Sequence, residues 1–148
     1  MACFALSRDR WRALRSLAPA ERRVLAAAML LLPATAAGVR LVGMKRWQAV
    51  LDALARATSC RRQVGSPRVV ELVDQAARHL PLRVLCLPRS MVTCWLLRWQ
   101  GHAAELRIGV RRTGNRLQAH AWAEQDGRPI DGGAEMQWTF TPFARPVD

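Results

Sequence analysis

No C-x-x-C pair occurs in this sequence, and its four cysteines, at positions 3, 60, 86 and 94, lack the compact spacing of a zinc framework. A metal-organised fold is therefore not expected. The even count would suit two disulfides in a secreted chain, but one pairing fails on geometry. If Cys86 and Cys94 bracket a helix, as argued below, they lie about 12 Å apart, beyond the roughly 7 Å that a disulfide tolerates. Reduced thiols and a cytoplasmic chain are expected instead. Repeats and low-complexity tracts are also lacking, which leaves no sign of a solenoid or a linker-like polymer. With 148 residues there is room for one domain, alone or with a small appendage, and several domains are excluded. Apolar residues at 51% and charged residues at 23% exclude a disordered, collagen-like or coiled-coil chain.

Acidic residues are scarce. Eleven Asp and Glu stand against 23 Lys and Arg, a formal charge of +12, and Lys45 is the single lysine. Such a balance points toward acidic peptides, nucleic acid or anionic membrane. An arginine- and alanine-rich coding bias would produce the same excess. A long uninterrupted apolar run is missing too. Residues 24–39 (VLAAAMLLLPATAAGV) are uncharged, but 16 residues fall short of the about 20 that a span needs, and Pro33 and Gly38 interrupt them. The small residues ATAA imitate a signal-peptidase site, yet 23 residues precede the run and read as helix rather than as a short basic leader. Two buried helices meeting near Pro33 account for the run, with membrane association as the alternative.

The first 58 residues read as an N-terminal helical region, with Pro19 at a first helical position, Glu21 in the first turn, and Gly43 before an amphipathic stretch from Lys45 to Ala57. After a basic connection, residues 66–148 form the second region. Ser66 is a candidate N-cap for a helix on which Val69, Val70, Val73, Ala76, Ala77 and Leu80 recur at helical spacing, ending before Pro81. Pro88 suits the start of another helix and Gly101 its end. Met91, Val92, Cys94, Trp95, Leu96, Leu97 and Trp99 cannot share one narrow face, so this helix should run through the middle of the domain. Beyond Gly101 the period changes to two: Leu106, Ile108 and Val110 point one way and Glu105, Arg107 and Arg111 the other. A turn at 113–115, a strand LQAHAWAEQ, an Asp126-Gly127 hairpin and a third strand follow. The expected class is α+β, N-terminal helices plus a central helix packed on a small antiparallel sheet.

Three residues of this plan could carry chemistry. Cys86 stands at a helix start, where the positive end of the dipole favours the thiolate that a cysteine nucleophile requires. A small buried hydrophobe is the plainer reading of a lone cysteine. His120 shares a strand face with Gln118, Trp122 and Glu124. With Asp126 and Gly127 as a two-residue loop, residue 125 pairs with 128, 123 with 130 and 122 with 131. Asp131 then lies diagonally from His120 at roughly 7 to 8 Å, within reach of two side chains. A carboxylate there could orient the imidazole and leave its other nitrogen for a thiol. A solvated His and Asp would satisfy the same pattern. Glu135 would share the face if pairing continued past Gly132 and Gly133, so it is the reserve acid.

The string CLPRSMVTCWLLRWQGHAAELRIGVRR, followed by LQAHAWAEQDGRPID, resembles the stand-alone transglutaminase-like leader peptidases of lasso-peptide biosynthesis. The match is close over residues 81–133, and the N-terminal half, with its APAERR opening, is similar more loosely. The resemblance implies a papain-like cysteine protease that removes the leader from a ribosomally made precursor peptide. It further implies a separate leader-recognition protein, an ATP-dependent lactam synthetase acting on the freed amine, and threonine two residues before the cut. Carried onto this chain, Cys86 is the nucleophile, His120 the general base and acid, and Asp131 the orienting carboxylate; no cofactor and no metal is implied. This hairpin has a single Asp before two glycines where family members often carry an Asn-Asp or similar pair, which bears on the third assignment. Trp122 and Glu124 are expected to support the strand and pocket, and Arg89 and Ser90 to order the loop near the cysteine.

His102, just past Gly101, reads as a surface or capping residue, and His79 as a partner of its helix terminus. Arginines 8, 10, 12, 15, 22 and 23 form a basic face that a solvated helix explains, and that could also contact an acidic partner or a membrane surface through the N-terminal helices. Three rival readings are a non-catalytic basic scaffold recruiting precursor or synthetase, a nucleic-acid-binding module, for which no reader motif is visible, and amide transfer in place of hydrolysis.

Overall fold

A computed structural model describes residues 16–58, 63–131 and 140–142. Among these residues, four helices precede a four-stranded antiparallel sheet: α1 (Pro19–Val42), α2 (Met44–Thr58), α3 (Ser66–His79), α4 (Cys86–Trp99), β1 (Glu105–Thr113), β2 (Arg116–Gln125), β3 (Arg128–Pro129) and β4 (Thr141–Pro142), with sheet order β3-β2-β1-β4. The fold is α+β, as the change of period from 3.6 to 2 requires.

Pro19 opens α1, and the Glu21 carboxylate accepts the Ala18 N–H at 2.9 Å and the Arg68 side chain at 2.7 Å. The chain does not break at Pro33. One helix of 24 residues replaces the two expected there. Its buried line, Val24, Leu25, Ala28 and Leu32, continues beyond the proline to Thr35 and Gly38. Keeping that line packed outweighs one missing ladder bond and the ring's crowding, about 3 kcal/mol together. The break falls at Gly43, whose φ of 85° suits glycine. Close approach explains Gly38, since a Cβ there would lie 2.3 Å from the Trp47 ring of α2.

Gly65 rather than Ser66 occupies the cap of α3, with Pro67 in the first turn, and the helix ends at His79 as the following Pro81 demands. The His79 ring meets the Gln75 carbonyl at 2.6 Å.

Helix α4 is the axis of the molecule: every residue from Ser90 to Leu97 is buried. Trp95 donates its indole N–H to the Leu51 carbonyl at 2.7 Å, and Arg98 pairs with Asp52 at 2.7 Å, so α2 and α4 share one core with α1 and α3. The helix ends in a Schellman motif, in which Gly101 N–H reaches Arg98 O and His102 N–H reaches Leu97 O, both at 2.9 Å. His102 is buried, not at the surface, because its ring meets the Val64 carbonyl at 2.7 Å while Gln100 Oε1 accepts the Gln63 and Val64 N–H groups. Residues 100–102 thus fix the chain that leads into α3.

In the sheet, Thr113 pairs with Arg116 around Gly114, and Gln125 with Arg128 around Asp126 and Gly127, whose positive φ values (51° and 72°) are those of a type I′ turn. The Ile130 N–H donates to the Ala123 carbonyl at 2.9 Å, which carries the register on as turn chemistry predicts. Leu106, Ala121 and Ala123 turn toward the helices, while Trp122 and His120 lie on the other face.

Gly109 sits opposite His120, and a Cβ added to it would meet the Trp122 ring at 2.7 Å and the Thr141 backbone oxygen at 2.9 Å. Because one of those atoms is backbone, Gly109→Ala should cost about 1 to 3 kcal/mol, read as a lower Tm in a calorimetric melt.

Candidate active site

The site grows from the first turns of α4. Cys86 opens the helix and is half-buried, with its sulfur reduced. One turn on, on the same side of the helix, Ser90 is buried, and its hydroxyl lies 3.0 Å from the Ala121 carbonyl and 2.8 Å from Asp131 Oδ2. The N-terminal part of α4 is thereby held against β2 at Ala121, the residue that follows His120.

Asp131 falls just past the short strand β3. Its other oxygen, Oδ1, accepts the Ala123 N–H in a short hydrogen bond and so stands where a ladder carbonyl would stand. The carboxylate that turn geometry aimed at the imidazole instead bridges Ser90 and the β2 backbone. Among the described residues, the His120 ring makes no hydrogen bond to it. Burial pushes the Asp131 carboxyl above its ordinary range, opposed by the Ala123 and Ser90 hydrogen bonds and by the Arg89 charge.

His120 is half-buried, stacked on Phe140 with ring centroids 5.3 Å apart, and Trp122 lies 6.5 Å away on the same face. The Arg111 guanidinium covers Phe140 at 4.8 Å. Burial lowers the imidazole pKa; the nearby Asp131 carboxylate works the other way, and Arg89 and Arg111 add to the lowering. The ring is therefore neutral near pH 7, the form in which it can accept a proton. Arg89 itself is held by Asp74 of α3 at 2.6 Å.

Trp122 is fully buried and donates to Glu124 Oε1 at 2.9 Å, while Arg107 bonds the second oxygen at 2.9 Å. Arg107, Glu124 and Trp122 thus tie β1 to β2 through their side chains. Ser90 does more than order a loop, because it joins helix, strand and carboxylate. Nothing in local sequence pattern reveals that link, although its spacing of four from Cys86 places both on one helix side. Phe140 could not be found at all, since it follows two glycines and has no period to follow. Glu135, the reserve acid, lies outside the described residues. Cys94 is a core residue whose thiol burial pushes up, and the His102 ring is engaged with Val64, so neither belongs to the site.

A family model described as transglutaminase-like superfamily matches residues 4–145. No curated protein and no solved structure matches the chain.

The bond pattern around Asp131 makes a signed prediction. Folding raises its pKa, so ionisation opposes the native state, and this cost is absent below the ordinary value of 3.8 and grows as pH rises through it. Asp131→Asn keeps an acceptor for Ala123 and a donor for Ser90 without the charge. Its Tm should match or exceed that of the parent at pH 7, the difference narrowing as the pH falls toward 4. Asp131→Ala strands a buried N–H and should lose about 1 to 3 kcal/mol in the same melts.

Proposed function

The chain belongs to the transglutaminase-like superfamily, a group that includes cysteine proteases, and from that premise we propose that it is a cysteine peptidase in which Cys86 attacks and His120 moves the protons. The observation that carries this reading is the clamp of Ser90 onto Ala121 and Asp131, which sets the helix start bearing Cys86 beside the strand bearing His120.

His120 takes the thiol proton, and the thiolate sulfur bonds to the scissile carbonyl carbon, its electron pair moving onto oxygen. As that oxygen re-forms the carbonyl, the C–N bond breaks and the imidazolium gives its proton to the leaving amine. A water then loses a proton to His120, attacks the thioester and releases the carboxylate, returning the thiol. Asp131 contributes by holding strand edge and helix together, and its charge favours the imidazolium formed in transit.

The substrate we propose is a ribosomally made lasso-peptide precursor, cut between leader and core with threonine two residues before the bond. A separate leader-recognition protein presents it, and an ATP-dependent lactam synthetase closes the freed core. Support for this finer reading is the ordered series C-L-P-R-S, L-R-I-G-V and A-H-A-W-A-E over residues 86–124. The enzyme is proposed to act in the cytoplasm with its thiols reduced, without metal or cofactor.

The test incubates the full chain with the precursor and the recognition protein and follows products by mass. Cleavage should fall by at least about a thousandfold in Cys86→Ala and His120→Ala, with leader and core masses summing to precursor plus water. Cleavage that survives Cys86→Ala defeats the assignment, and a product lacking the added water indicates transfer. Because folding lowers the imidazole pKa, the acid limb of kcat/KM should have its midpoint below 6.5, the ring's ordinary value.

A further inference from the structure

From Val24 to Val39 helix α1 carries no charge on any side, yet only one side of it is packed. Ala26, Leu30, Ala34, Ala37 and Leu41 follow at spacings of three and four and are exposed along one line, Leu30 by 74% and Leu41 by 82%. A helix whose outer face meets water ordinarily carries polar residues there. The line runs about 22 Å, with Arg22 and Arg23 beyond one end and Arg40 beside the other. Every exposed charge on α1 and α2 is cationic, Lys45, Arg46 and Arg56 completing the set, while the two acids of these helices are paired inward, Glu21 with Arg68 and Asp52 with Arg98.

From this pattern we infer that α1 lies flat on an anionic phospholipid surface, its apolar line in the acyl boundary and its arginines among the headgroups. A second copy would bring cation onto cation. The preceding segment, residues 1–15, would do the same, since it carries Arg8, Arg10, Arg12 and Arg15 against one acid, Asp9. An anionic bilayer complements both features at once. Length and hydropathy alone would let these 24 residues span a membrane. Packing argues for lying on the surface, because insertion would strip Val24, Leu25, Ala28 and Leu32 from the core against α3 and α4.

The inference is independent of the peptidase reading, and its test uses no substrate. The full chain is floated with vesicles of phosphatidylglycerol mixed with phosphatidylcholine, and with phosphatidylcholine alone. Binding should be about tenfold or more tighter on the anionic vesicles and should weaken with salt. Leu30→Glu with Leu41→Glu should reduce it at least about tenfold at unchanged circular dichroism and Tm. Ala34→Glu alone, a smaller change at an exposed position, should act in the same direction if the double variant misfolds. Failure of the parent to float with anionic vesicles, or undiminished flotation of both variants, overturns the inference. A dimer in light scattering that Leu41→Glu dissociates, without vesicle binding, overturns it in favour of a second copy.

Discussion

The hydroxyl of Ser90 joins the two halves of the molecule. It stands between a buried carboxylate and a backbone carbonyl of β2, and through it the start of α4 meets the edge of the sheet. A hydroxyl has one proton and here has two acceptors, so the arrangement is completed either by a proton on Asp131 or by one lone-pair contact left unsatisfied. The raised carboxyl pKa belongs to that buried environment, and the bonds from Ala123 and Ser90 oppose it. The same low dielectric that penalises the charge strengthens each bond that remains, which is why the edge stays closed around so few groups.

Electrostatics around the imidazole follow from the same packing. Burial and the charges of Arg89 and Arg111 resist protonation, and Asp131 favours it. Arg89 is in turn drawn toward Asp74, so α3 shapes the field felt on β2. In the proposed mechanism, this balance leaves the base neutral at rest and lets it carry a proton only while charge develops nearby.

How far the fold was legible depended on how local the cause was. The two hairpins were readable because turn residues set register within a few positions, as Asp126 and Gly127 do. The centrality of α4 was readable from apolar residues on all sides. Pro33 misled, since a local breaker was overridden by a packed line on either side of it. His102 caps α4 through its backbone as its position suggests, but its ring is buried, because its partner, the Val64 carbonyl, is 38 residues away and leaves no trace in pattern. The candidate site divides in the same way. Cys86, His120 and Asp131 could be nominated from helix start, strand alternation and hairpin register. The bridge through Ser90 and the stacking of Phe140 depend on distant segments meeting, which periodicity does not encode.

The aromatic lid over His120 has a temporal consequence. Phe140 immediately precedes strand β4, which joins the sheet beside β1 and follows every other described element in the chain. During synthesis, Cys86, His120 and Asp131 all emerge before the ring that presses the imidazole into place. A nascent chain would thus hold its whole complement of reactive side chains while the imidazole still turned freely in water. A segment that leaves the ribosome after all three reactive residues is the one that completes the environment of the base, so the order of the chain itself delays the appearance of a finished site.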